Sequence, residues 1–180
     1  MIDVDTSIAN VVRRTFEECF SRDMRDMRRF DRWDPKKYIA PFEVYREDYR
    51  AMEGLGVKIV DPNELGFSLG RDGGCVNFAL YMLGLPFNIH VEEQLEGVLE
   101  FPTSSAPIEG CIALYKSILP EAPISEDDHI DIFRNGKVLS KWGPGPIFEH
   151  DLSSIPFVWS VSSNGREFPY RHWVEFFIPR

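Results

Sequence analysis

Residues 71–84 read RDGGCVNFALYMLG, a stretch in which a pair of glycines delivers one cysteine to the start of an apolar helix. Gly73 and Gly74 accept backbone angles closed to other residues and suit a sharp entry. From Cys75 onward Phe78, Ala79, Met82 and Leu83 recur at helical spacing, and Gly84 with Pro86 closes the run. The reading is a loop, a helix opening on a cysteine, and a stop. A thiol placed there meets the unpaired N–H groups of the first turn, where the helix dipole favours the thiolate. A buried structural cysteine carries the same local pattern, so the chemistry must be argued from the rest of the chain.

Upstream the pattern is helical. Ile8, Val11, Val12, Phe16, Cys19, Phe20, Met24 and Met27 form one stripe, with Asp5, Thr6 or Ser7 as N-cap. A second helix is expected from Pro41, with Phe42, Tyr45, Tyr49 and Met52 inward and a stop near Gly54 and Gly56. VKIVD at 57–61 suits a short strand, and HVEEQLEGVLEF at 90–101 suits an amphipathic helix through Val91, Leu95, Val98 and Leu99. Downstream of residue 105 the pattern turns strand-like. GCIALYKS (110–117) is a short apolar run, and HIDIFRNGKVLSKWG (129–143) is a hairpin whose Asn135-Gly136 suits a type I′ turn. Two further strands are expected around Asn164-Gly165. Helices followed by an antiparallel sheet make an α+β fold. No linker divides the chain, so residues 1–180 are expected to form a single domain, with 1–65 a helical N-terminal extension and 66–180 the core.

Composition narrows the classes of function. The chain has 180 residues, 43% of them hydrophobic and 27% charged, with a formal charge of −9. That charge argues against nonspecific affinity for nucleic acid or an anionic membrane surface. Arginines cluster in SRDMRDMRRFDRWDPKK (21–37), but interleaved aspartates make this a solvated face. Cys19, Cys75 and Cys111 show no CxxC spacing, so neither a disulfide framework nor a zinc knuckle is expected. No apolar run approaches the roughly 20 residues that span a bilayer. The N-terminal MIDVDTSIANVV carries acids where a signal peptide carries positive charge. A cytoplasmic location, or export by a signal-independent system, is expected.

The order of a cysteine-led helix, APIEGCIALYKS and DDHIDIFRNGKVLSKWG resembles the papain-like cell-wall peptidases and amidases, the NlpC-type endopeptidases and CHAP amidases. Those proteins show a cysteine at a helix start, a glycine-led strand, and a histidine opening a hairpin. The resemblance spans roughly residues 70–145. It implies a papain-like fold with Cys75 as nucleophile at a helix N-terminus and His129 as general base. The polar group that orients the histidine falls at Ser140, on the strand after the turn. The continuation SKWGPGPIFEHDL (140–152) resembles uncharacterised bacterial papain-like groups in which a Ser-Lys-x-Gly step precedes another histidine, which makes His150 a further candidate.

The chemistry stands without the family. A thiol is a weak nucleophile until an imidazole within hydrogen-bond reach makes a thiolate–imidazolium pair. Backbone N–H groups at the helix start can hold the oxyanion, and a third group fixes the histidine tautomer. His129 shares a strand face with Asp131 and Phe133, so Asp131 is an alternative to Ser140 as the orienting group. His150 also reads as a loop residue or helix cap. Lys141 and Trp142 are candidates for the wall of a substrate groove, and Asn77 for the oxyanion site. No metal site and no cofactor are expected. The expected activity is hydrolysis of an amide in a peptide-like substrate through a thioester, with a peptidoglycan stem peptide the substrate implied by the resemblance. Alternatives are a protein deamidase or toxin-like effector, and a non-catalytic acidic module that binds a protein partner or inhibitor.

Overall fold

Side chains alternate along residues 129–141, and that alternation organises the sheet at the centre of the molecule. The computed structural model describes residues 2–4, 11–12, 14–22, 46–67, 75–85, 97–116, 128–141, 146–154, 161–163, 166–168 and 172–179. In chain order these form β1 (Ile2–Val4), helical residues 14–22 (α1), α2 (Arg50–Glu53), β2 (Lys58–Val60), a 3₁₀ turn at Pro62–Leu65 and α3 (Cys75–Met82). There follow β3 (Thr103–Ser104), β4 (Ile112–Lys116), β5 (His129–Arg134), β6 (Lys137–Lys141), β7 (Ile147–His150), β8 (Val161–Ser163), β9 (Arg166–Phe168) and β10 (His172–Phe177). The fold is α+β. Eight strands make one antiparallel sheet in the order β1-β10-β4-β5-β6-β7-β2, with β3 against β10, while β8 and β9 pair as a separate ribbon.

The expected hairpin forms as read. Asn135 (φ 54°) and Gly136 (φ 76°) take the two left-handed positions of the turn between β5 and β6. At the other expected stop, Gly84 (φ 67°) closes α3. Leu85 N–H donates to Leu80 O at 3.0 Å and Gly84 N–H to Tyr81 O at 2.9 Å, the paired bonds of a Schellman cap.

One sheet face carries Ile112, Leu114, Ile130 and Ile132, which pack with Val76, Ala79 and Leu80 of α3. Leu139 and Ile147 extend that face and meet Phe78 of the same helix. On the opposite face Phe148 packs against Val12, Phe16, Tyr49 and Met52 of the N-terminal segments. Helices therefore cover the sheet on both sides, and α3 is held with its first residue over the start of β5.

Several expectations change. Val11 is 51% exposed and does not belong to the buried stripe. It heads the helical row Val11, Thr15, Glu18 and Arg22, whereas Val12, Phe16 and Cys19 face the sheet. Leu99 is 46% exposed beside buried Val98, because successive residues of one helical turn point about 100° apart. The stretch expected to hold two late strands holds three, β8 and β9 paired with each other and β10 following, while Asn164 and Gly165 themselves lie outside the described residues. β1, β3 and β7 were not expected from sequence. The N-terminal stretch read as a helical extension thus contributes both edges of the sheet, β1 and β2. The proposed N-caps at 5–7, the start of the second helix at 41–45, residues 91–96, Gly73, Gly74, Pro86 and Trp142 lie outside the described residues.

Candidate active site

Cys75 is the first residue of α3, and His129 is the first residue of β5. Packing of α3 on Ile130 and Ile132 brings the helix start to the strand start, so residues 54 positions apart in sequence become neighbours. Cys75 hydrogen-bonds to the His129 ring and takes a further bond from the Ile130 backbone amide. His129 Nε2 lies 2.7 Å from Asp131 Oδ1. The carboxylate contact is an ion pair more than an aligned hydrogen bond, since neither Asp131 oxygen makes a bond of good geometry. Asp131 is wholly buried and His129 is 7% exposed, so water screens this pair little.

Electrostatics follow from that geometry. Burial alone would push the Cys75 thiol up, but the charge and hydrogen bond of His129, with the Ile130 amide, outweigh it, and the thiol lies below its ordinary value. Burial would likewise favour neutral His129. The charge of Asp131 and then that of Cys75 override it and push the imidazole up to about 10. Both shifts favour the thiolate–imidazolium pair over the neutral one. Cys75 is partly exposed. Cys19 and Cys111 differ on both counts: each is sealed in the interior, and burial pushes its thiol up.

No family model, curated protein or solved structure matches this chain.

The other expected site residues separate into two groups. Ser140 does not orient His129. Its Oγ lies 2.8 Å from His150 Nε2, and His150 Nδ1 lies 2.7 Å from the backbone oxygen of Asp151. The simplest proton arrangement has Nδ1–H donating to Asp151 O and the Ser140 hydroxyl donating to Nε2. His150 is neither loop residue nor helix cap but the last residue of β7, wholly buried, with both ring nitrogens engaged. Burial pulls its pKa below the ordinary histidine value.

Lys141, expected to wall a groove, is instead 2% exposed at the end of β6. Burial lowers its pKa to about 8, with the charge of Cys75 acting in the opposite sense. Asn77 sits buried in the first turn of α3. Among the described residues no group of three or more His, Cys, Asp or Glu side chains could hold a metal ion, and no helix is long and apolar enough to cross a membrane.

The Ser140–His150 pair has a measurable consequence. His150 is favoured neutral in the fold, so below its unfolded value of about 6.5 the unfolded chain binds the extra proton first. Its contribution is complete above that pH and is lost as pH falls. His150→Leu strands the Ser140 hydroxyl and costs about 1–3 kcal/mol at pH 8. The same variant loses less further stability than wild type on going to pH 5.5. Urea midpoints at the two pH values give both numbers, and an equal acid loss in the two proteins contradicts the assignment.

Proposed function

We propose that this chain is a papain-like cysteine hydrolase or amidase that cleaves an amide of a peptide-like substrate through a thioester on Cys75. One observation carries the reading: a partly exposed thiol at a helix start hydrogen-bonds to a histidine that is ion-paired with a buried aspartate. The thiolate attacks the amide carbonyl, and the C–N bond breaks as the His129 imidazolium gives its proton to the departing nitrogen. First-turn N–H groups of α3 receive the oxyanion in this scheme. Water then attacks the thioester with His129 as base, which releases the acid and restores the thiol. Asp131, on the same strand face, orients the ring and stabilises its charged form. The stem-peptide substrate follows from the sequence resemblance, and loss of ammonia from a glutamine or asparagine uses the same steps.

The thiolate makes the first test direct. Iodoacetamide at pH 7 should modify Cys75 well before Cys19 or Cys111, as read by peptide mapping. Mass spectrometry after incubation with muropeptides, or with a cell extract, should then reveal an acyl adduct on Cys75 that Cys75→Ala lacks. Cleaved muropeptides identify a wall amidase, and a one-dalton gain on a protein side-chain amide identifies a deamidase. Earlier labelling of Cys19 or Cys111, with no adduct and a stoichiometric copurifying protein, replaces the enzyme by the interaction module.

A further inference from the structure

The charges at the site do not balance with Cys75, His129 and Asp131 alone. Asp131 is wholly buried and stands 2.7 Å from the imidazole, so one cation already answers one anion. Ionising Cys75 beside that pair adds a second negative charge to a poorly solvated place. A buried anion without its own counter-charge is costly and is avoided by keeping the proton. His129 and the Ile130 amide already outweigh burial and Asp131 at the thiol, and a further positive charge close by adds to their effect.

Lys141 is in the right place. Strand β6 neighbours β5, and Leu139, two residues before Lys141, faces Phe78 of α3. By strand alternation Lys141 shares that face, at the end where α3 begins. Its cross-strand partner is Ile147, an apolar residue packed under the same helix. Lys141 is 2% exposed and interacts with the charge of Cys75.

Among the described residues, Cys75 of α3 is the charged group that acts on it. His129 and Asp131 of β5 lie on the other face of the sheet, with Ser140. Glu149 of β7 and Lys58 of β2 lie farther along the face, paired in register with each other. Lys116 of β4 lies two strands away, one register step past the Tyr115–His129 pair and level with Asp128.

We infer that Lys141 is the second cation of the site: its ammonium makes ionisation of Cys75 charge-neutral, while His129 answers Asp131. Lys141 is thus an electrostatic positioning residue that acts through the nucleophile. The inference rests on the cysteine-hydrolase reading only in requiring Cys75 to be a thiolate. Reciprocity is built in, since what the ammonium does for the thiolate the thiolate does for the ammonium.

The experiment measures the Cys75 pKa from the pH dependence of iodoacetamide alkylation in wild type, Lys141→Met and Lys141→Arg. Wild type should show a depressed value. Lys141→Met should raise it by about one unit, a roughly tenfold loss of alkylation rate on the acid side, and Lys141→Arg should restore it. Superimposable profiles for wild type and Lys141→Met overturn the inference and leave the hydrolase reading standing. An ordinary thiol value in wild type removes both.

If Lys141→Met fails to fold, the reciprocal measurement decides. The carbon-13 signal of the Lys141 side chain should titrate at lower pH in Cys75→Ala than in wild type. Equal midpoints overturn the inference.

Discussion

Replacing His129 with alanine should lower amide hydrolysis by about two to four orders of magnitude, the range contributed by a positioned acid–base group. The loss should exceed that from Ser140→Ala or His150→Leu, because those two side chains bond to each other while His129 is the group beside the thiol. The pH profile should change along with the rate. Without the imidazolium, burial is the dominant influence on Cys75, and its alkylation should need alkaline conditions. Folding must be checked in the same sample, since the variant leaves Asp131 buried without its cation. The pH–rate curve is the informative readout because a merely loosened fold would expose the thiol and speed alkylation. An unchanged alkylation profile in a folded His129→Ala protein removes His129 from the mechanism.

The parts of this site that could be read from sequence are those fixed by local rules. Gly84 announces the end of α3, and Asn135-Gly136 announces the β5–β6 turn, because both positions require left-handed backbone. Once the hairpin is set, alternation places His129 and Asp131 on one face. Choosing the orienting group is a different problem. Asp131 and Ser140 lie on the same face of adjacent strands, one step beyond the Ile132–Leu139 pair, so register alone does not rank them. His150 decides the matter. It holds the Ser140 hydroxyl, and Asp131 is the group next to the imidazole. His150 reaches that position through β7, a four-residue strand following GPGP, a sequence that reads as loop. The same difficulty hid β1, whose three residues become a strand only by pairing with β10 at the far end of the chain. Lys141 shows the limit of composition: a lysine read as a groove wall is buried because β6 runs beneath α3.

Asp131→Leu should destabilise the protein by about 3–5 kcal/mol at neutral pH, the usual cost of breaking a buried ion pair from one side. His129→Leu should cost a similar amount. The double variant His129→Leu/Asp131→Leu should recover much of the loss, because no charge is then left alone in the interior. Strict additivity in this cycle contradicts the pairing. The pH dependence carries a sign for each group. His129 is raised to about 10, so its contribution is whole below the unfolded value of about 6.5 and is lost as pH rises through the folded value. Cys75 is lowered from an ordinary 9.0, so its contribution is whole above that value and is lost as pH falls through the folded one. Where both act, the fold has transferred a proton from thiol to imidazole without changing the total bound, and wild-type stability should peak between about 6.5 and 9. Cys75→Ala removes the thiol's share together with the part of the imidazole's upward shift that comes from Cys75, leaving the part due to Asp131. Its stability should peak at about 6.5 and fall as pH rises through the variant's lower folded value for His129, measured as urea midpoints between about pH 6 and 9.5. Coincident curves for wild type and Cys75→Ala would mean that no such proton transfer accompanies folding, and that the thiol of the native protein stays protonated.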